Sequence, residues 1–462
     1  MKCLLMNPIS KKSPYSISVD PVIARHVGGR TKTSAWYPIG LAYVAAMIRT
    51  GGFHVEVIDP VPQGYTYESV IKKAKEFDIV FCALAPENEQ DTFDLYKELI
   101  GIRRIYFGTY ATAISQDLLK DNRCDIVIKG EPEITSLEVV KNINGLALIR
   151  GISYRDNGRI IDNGNRPLIE NLDSIPFPAR DLIDNNLYTH MSFIGNPVGL
   201  ILSSRGCPFN CIFCATHLFY GKIWRARSAE NVVLELKEMV SLYNLKHIIF
   251  MDDTFPVDSK RVFDICDGII KAGLKIKWGC LARPDKSMTQ AMLLRMKEAG
   301  CVEIRYGVES GVQRILDNIC KDLTLHEIED VISRTTKAGI KVLCFFMIGN
   351  PGETHETIHD TVRFAKRLKA DFATFSIATP YAGTRLFEET GVKGDRLSDI
   401  SKWNFSVCNM SLEELRKELK HAYLSYYFRP KYIAKVLLDF LCSFFKEPRL
   451  VLQTYIDSMR SI

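Results

Sequence analysis

Short apolar runs alternate with amphipathic stretches along most of the chain, in a rhythm of strands and helices. KCLLMNP is a continuous apolar run of strand length, which predicts a buried strand. YPIGLAYVAAMIRTGG has helical length, with Pro38 near its start and Gly51 and Gly52 at its end, and predicts a helix bounded on both sides. The strand HVEVIDP, a helix near 67–76, the strand FDIVFCALAP and a helix over 91–101 come next. The strand RRIYFGT, a helix around 112–120, the strand DIVIKGE and the helix ITSLEVVKNI complete the run. Strands alternating with helices imply an α/β fold with a doubly wound, Rossmann-like parallel sheet over residues 1–145. Such sheets bind ligands beyond the carboxyl ends of their strands.

Residues 146–192 break this rhythm. The Asp156-Asn157-Gly158 turn predicts a hairpin, and a Pro-punctuated linker follows it. From about residue 193 to 392 the βα rhythm resumes through VGLILSS, HIIFMDD, KIKWGCLAR, VEIRYGVES, KVLCFFMIG and FATFSIATP. Six such units fall short of the eight of a complete TIM barrel, but they share its logic of placing chemistry at strand C-termini. Asp252 and Asp253 end the second strand, Arg283 the third, Glu309 and Ser310 the fourth, and Asn350-Pro-Gly-Glu353 the fifth. The last segment, 393–462, reads as helical and is rich in Tyr, Phe, Leu and Lys. Arg429, Lys431 and Lys435 beside its apolar stripe suit three roles: lying peripherally on a membrane, covering an apolar substrate, or packing on the preceding domain.

Composition narrows the class. At 462 residues and 47% hydrophobic, the chain can form two or more domains with their own cores. A net charge of +6, from 60 basic and 54 acidic residues, is too mild to point to nucleic acid. The 13 cysteines are an odd number without an apolar leader, which predicts reduced thiols in a cytoplasmic setting.

Three of those cysteines carry the chemistry. Cys207, Cys211 and Cys214 stand in RGCPFNCIFC, a CxxxCxxC triplet directly after an apolar strand. Iron–sulfur clusters normally take four thiolates, so an isolated set of three suggests an iron with a site left for a small molecule. The other reading is zinc completed by His217. Structural zinc usually draws paired ligands from separate turns, and no second pair is present.

This spacing, with Phe213 before the last cysteine, resembles the signature of the radical S-adenosylmethionine (SAM) superfamily. YGVESGVQRILDNICKDLT, FFMIGNPGETHETI and IATPYAGTRLF resemble its consecutive segments. The N-terminal pattern PIGLAYVAAMIR, FGTYATA and GEPE is similar to the cobalamin-binding domain that precedes many such barrels, and LDSIPFPARDL resembles the joining segment. The resemblance implies a cobalamin-dependent radical SAM enzyme over residues 1 to about 390, with a partial (β/α)6 barrel, a [4Fe-4S] cluster, SAM and cobalamin. It implies that the cluster cleaves SAM to a 5′-deoxyadenosyl radical. It further implies an external electron donor such as flavodoxin or ferredoxin.

Site residues are implied in the same way. Asp252 and Asp253 stand where the superfamily usually has a Gly-Gly-Glu segment for the SAM amino group, which is a departure. Arg283 and Ser310 are polar partners for SAM, Glu309 is placed to accept from the ribose, and Gly349 and Gly352 to admit the adenine. Cys82-Ala83-Leu84 and Gly108-Thr109 are the small strand-end residues facing cobalamin, where the family often has Ser-x-Leu and Gly-Gly. No Asp-x-His-x-x-Gly box is present, which implies cobalamin held without a protein imidazole. A flavodoxin-like domain that only packs on the barrel is the alternative for residues 1–145. The implied reaction is methylation of an unactivated carbon or a phosphinate phosphorus. The alternatives are a non-methylating cyclisation, oxidation or rearrangement with the same cofactors, and a non-catalytic iron–sulfur sensor.

Overall fold

The computed structural model describes residues 1–11, 16–19, 26–30, 35–85, 88–120, 122–189, 193–391, 405–430 and 432–433. The N-terminal strands are β1 (Lys2–Met6), β2 (Ser16–Val19), β3 (His26–Arg30), β4 (His54–Ile58), β5 (Ile79–Ala83), β6 (Arg103–Phe107), β7 (Ile126–Ile128), β8 (Ile152–Asp156) and β9 (Arg159–Asp162). Seven of them form one sheet in the order β4-β1-β5-β6-β7-β8-β9. From β4 to β7 every pairing is parallel, as the sequence predicts. The order reverses between β1 and β5, which is where a doubly wound sheet opens a crevice at its strand C-termini.

The hairpin of the connector differs from expectation. Its strands β8 and β9 continue the N-terminal sheet, antiparallel to β7 and to each other, so the sheet is mixed. Burial explains the recruitment, because Ile152 and Tyr154 share the apolar layer of Ile126 and Ile128. A second antiparallel hairpin, β2 with β3, lies outside the sheet and has no counterpart in the apolar periodicity.

Strand side chains alternate between faces, and both faces of this sheet are covered. Leu5, Phe81, Ala83 and Phe107 enter one apolar layer, which also contains Val198, Leu200, Phe219 and Ile249 of the second domain. Leu4, Val80, Cys82, Leu84 and Tyr106 enter the opposite layer. The first layer therefore joins the two domains.

The second domain contributes β10 (Val198–Ile201), β11 (Ser204–Arg205), β12 (Arg225–Ala226), β13 (His247–Phe250), β14 (Lys277–Ala282), β15 (Cys301–Glu309), β16 (Lys341–Ile348) and β17 (Phe372–Ile377). Six of these form an all-parallel sheet in chain order, β10-β13-β14-β15-β16-β17. They are the six strands read from the sequence. Helices between them start at side-chain caps such as Thr324, whose box with Glu327 satisfies the first free amides of Leu325–Lys337. β11 and β12 pair antiparallel on either side of the cysteine loop.

Helix Leu412–Tyr427, capped by Ser411 and Glu414, packs on β17. Its tyrosines turn toward the barrel, and Arg429 folds over the Tyr426 ring at 4.3 Å. These contacts favour packing over a membrane surface for the described part of the segment. Lys431, Lys435 and residues 434–462 lie outside the described residues. Among the described residues no helix is long and apolar enough to cross a membrane.

Candidate active site

The cysteine loop begins at Gly206, which has φ +83° and where an added Cβ would stand 2.3 Å from the Ile223 carbonyl oxygen. Only glycine fits between the two backbones. Cys207, Cys211 and Cys214 follow, each partly exposed, and the Cys214 amide donates to the Cys211 carbonyl at 3.2 Å. Burial pushes the Cys207 thiol up to about 12 and the Cys214 thiol upward as well, helped by the carboxylate of Asp253 nearby. A metal centre reverses that preference by stabilising thiolates, so this donor set fits a bound cluster.

Three attachments hold the loop. At its start, Arg205 is buried and donates to Glu131 at 2.8 Å and to Glu133. Arg225, across the β11–β12 pair, also reaches Glu131, at 2.9 Å. Both glutamates belong to the GEPE segment of the N-terminal domain, so the cysteine loop is pinned to the neighbouring domain. In the middle, the Arg283 guanidinium lies 4.1 Å from the centre of the Phe209 ring. At the far side, the Ile212 amide donates to the Ile319 carbonyl at 3.2 Å, and the Leu386 amide donates to the Ile212 carbonyl at 2.9 Å.

The two strand-end aspartates separate in role. Asp252 is fully buried; it accepts from the Ser203 amide at 2.7 Å and from the Ser203 and Ser204 hydroxyls. Burial pushes its carboxyl up, and it braces the turn into the cysteine loop rather than facing a ligand. Asp253 is partly exposed, accepts from the Thr216 hydroxyl at 2.9 Å and sits beside Cys207 and Cys214.

Other implied SAM contacts are occupied by protein. Arg283 also donates to the carbonyls of Lys321 and Asp322, so it is a brace beneath the loop. Glu309, at φ +70°, pairs with Lys321 at 2.9 Å, and the Lys321 ammonium lies within electrostatic reach of Cys211. Ser310 is fully buried against the Thr361 hydroxyl. A Cβ on Gly349 would meet Leu415 of the C-terminal helix at 2.9 Å, and one on Gly352 would meet Asn318 at 2.9 Å. On the side where a Cβ would project, both glycines meet protein side chains. Phe213 packs among Ile212, Ile319, Met347 and Leu386.

In the N-terminal domain, strand alternation sorts the expected cobalamin contacts. Cys82 and Leu84 are fully buried in the layer away from the barrel, where burial pushes the Cys82 thiol upward. They are packing residues. Ala83 lies on the barrel side. Gly108 has φ +109° and begins the short helix Thr109–Ala113, whose first hydroxyl, Thr109 Oγ1, is buried without a partner. That helix packs on Thr216–Tyr220, the helix immediately after Cys214. A small-residue strand end and an unsatisfied hydroxyl beside the cysteine loop fit a flat cofactor held between the domains. Asn7 follows β1 where strand order reverses, at a position that the sequence did not single out. Its amide donates to Asp59 at 3.2 Å while Oδ1 is buried without a partner.

Relatives match this architecture. The Radical SAM superfamily matches over residues 201–365. The uncharacterized methyltransferase PH0819 of Pyrococcus horikoshii is 35% identical over 87% of this chain and 90% of its own length. The anaerobic magnesium-protoporphyrin IX monomethyl ester cyclase of Cereibacter sphaeroides is 28% identical over 90% of this chain and 70% of its own. Among solved structures, the radical SAM methyltransferase TsrM of Kitasatospora setae, with cobalamin and a [4Fe-4S] cluster bound, shares the fold with a TM-score of 0.64. It has 16% identity and covers 81% of this chain and 72% of its own. The cobalamin-dependent radical enzyme OxsB, with aqua-cobalamin and SAM bound, gives a TM-score of 0.65 at 18% identity, covering 91% of this chain and 56% of its own. With its cysteine loop, a radical SAM domain over residues 201–365 and a 35% identical relative along nearly its whole length, the chain belongs to the radical SAM family of PH0819 and shares the fold of cobalamin-dependent radical SAM enzymes.

Proposed function

We propose that this enzyme is a methyltransferase acting on an unactivated carbon or a phosphinate phosphorus. The observation that carries the reading is the packing of helix Thr109–Ala113 on helix Thr216–Tyr220, which brings the Gly108 strand end beside the cysteine loop. A methyl carrier and a radical source must flank one substrate atom, and this adjacency supplies that arrangement. When bound, the cluster supplies the electron that cleaves SAM, and cobalamin carries the methyl group.

The protein's part is to hold and orient. Cys207, Cys211 and Cys214 would hold the cluster, and Asp253 is the carboxylate beside them suited to the cationic amino group of SAM. Arg205 with Glu131 and Glu133 fixes the loop against the N-terminal domain. Gly108, Thr109 and Ala83 line the side from which cobalamin would face it. The three cysteines are partly exposed, which lets an electron donor of the flavodoxin or ferredoxin kind approach.

Two relatives among the better matches are ring cyclases, which favours a non-methylating reaction on the same frame as the second reading. An anaerobic assay with SAM, cobalamin and a reductant separates them. Formation of 5′-deoxyadenosine together with S-adenosylhomocysteine supports methyl transfer. Deoxyadenosine without S-adenosylhomocysteine supports cyclisation or rearrangement, and neither product overturns both.

A further inference from the structure

Helix His355–Leu368 follows β16 and lies against helix Leu412–Tyr427. Three of the nine histidines of the chain meet along this seam. His355 and His359 stand one turn apart on the first helix, facing Glu414, Glu418 and His421 on one side of the second. We propose that His359, Glu418 and His421 form a binding site for a divalent transition-metal ion of the zinc class, stapling the C-terminal helix to the barrel.

The geometry carries it. One ligand atom from each of the three lies within 4.8 Å of the other two, and among the described residues no other group of His, Cys, Asp or Glu does this. Glu418 Oε2 is the common vertex, 3.2 Å from His359 Nε2 and 3.8 Å from His421 Nδ1. Tetrahedral zinc with bonds of about 2.0–2.1 Å sets its ligand atoms roughly 3.3 Å apart, so small side-chain rotations close the set. The two imidazole rings stand 4.8 Å apart, centre to centre.

The surroundings also match a metal site. His355 Nδ1 holds the other oxygen of Glu418 at 2.7 Å, the kind of outer contact that orients a ligating carboxylate. Two imidazoles and a carboxylate suit zinc, nickel or copper better than calcium or magnesium, which prefer all-oxygen sets. Three protein ligands leave a fourth position for water. One turn from Glu418, Leu415 packs onto Gly349 at the end of β16, so a staple here steadies the loop between β16 and helix His355–Leu368.

The test uses cluster-loaded protein freed of loose metal with a chelator and titrated with Zn²⁺ against a chromophoric zinc indicator. Iron content is read on the same samples. The expected result is one zinc per chain at micromolar or lower concentration. His359→Ala/His421→Ala should weaken that affinity at least tenfold with iron content unchanged. Glu418→Gln, a neutral isostere, should weaken it as well, which guards against a folding defect in the double variant. Zinc uptake equal in wild type and both variants, or none by the wild type at micromolar zinc, overturns the proposal.

Discussion

The Tyr423 hydroxyl accepts a hydrogen bond from the Phe375 amide at 3.1 Å and donates one to the Phe375 carbonyl at 2.9 Å. Tyr427, one helical turn on, does the same for Ala373, at 3.2 and 2.6 Å. An open six-stranded sheet leaves the outer backbone groups of β17 free, and a bare edge invites pairing with another chain. Two tyrosines at i and i+4 match two alternate residues of a strand, so the C-terminal helix covers the edge with side chains. Tyr423→Phe/Tyr427→Phe should lower stability by about 2–6 kcal/mol, since four hydrogen bonds are lost and each contributes roughly 0.5–1.5 kcal/mol net. Urea unfolding measures this, and light scattering should show increased self-association. A midpoint equal to wild type would show that water satisfies the edge as well as the tyrosines do.

Arg205 sits between Glu131 and Glu133 with almost no exposure. Removing one partner from a buried charge cluster typically costs about 3–5 kcal/mol because the others are left uncompensated. Arg205→Met should therefore destabilise the protein by that order and reduce the iron held after reconstitution, because Cys207 is two residues away. Replacing the arginine together with Glu133 by apolar residues, which leaves Glu131 to its pairing with Arg225, should recover part of the stability. Iron analysis and denaturation on both variants check this, and a single variant as stable as wild type would remove the pin from the account.

Glu353 gives a pH dependence. It is buried near the end of the loop after β16, just before the Thr354 cap of the next helix, where it accepts from the Asn350 amide at 2.8 Å, and burial pushes its carboxyl up from 4.5 to about 7. A carboxyl raised in the folded state contributes stability that is fully present below about pH 4.5 and lost as pH rises through about 7. The loss is on the order of 3 kcal/mol. Glu353→Gln keeps an acceptor for the amide but does not titrate. Its melting temperature relative to wild type should rise between pH 5 and pH 8, and a flat difference across that range would contradict the buried-carboxyl account.

What the sequence could disclose followed from locality. The cysteine loop lies within eight residues, and six parallel strands, most of them largely buried, read as apolar runs whatever their neighbours are. Distant pairings were hidden. Period-2 alternation separates Cys82 from Ala83, but which face meets the barrel depends on domain packing. Asp252 and Asp253 are identical in the sequence, and only the serines at 203 and 204 make one a brace. Arg205 meets glutamates more than 70 residues earlier, and His359 meets Glu418 some 59 residues later. The close contacts that Gly349 and Gly352 make with Leu415 and Asn318 were hidden too, because those partners come from helices whose docking no local pattern encodes.

Gly108 tests the N-terminal half of the site. Its φ of +109° is open to glycine and strained for other residues, and it begins the helix that packs beside the cysteine loop. A bulky side chain there fills the space between the domains, and close-packed surfaces tolerate little added volume. Gly108→Trp should abolish cobalamin uptake while the iron content stays at the wild-type level, because the cysteine loop is held by its own contacts. Gly108→Ala carries the backbone strain, about 1–3 kcal/mol, without the bulk, and should keep most of the uptake. Absorption spectra of reconstituted protein report both cofactors, and the bound cobalamin should show no imidazole ligand. Loss of uptake in both variants alike would assign the effect to strain. Full uptake by the tryptophan variant would place the corrin away from this strand end and dissolve the adjacency on which methyl transfer rests.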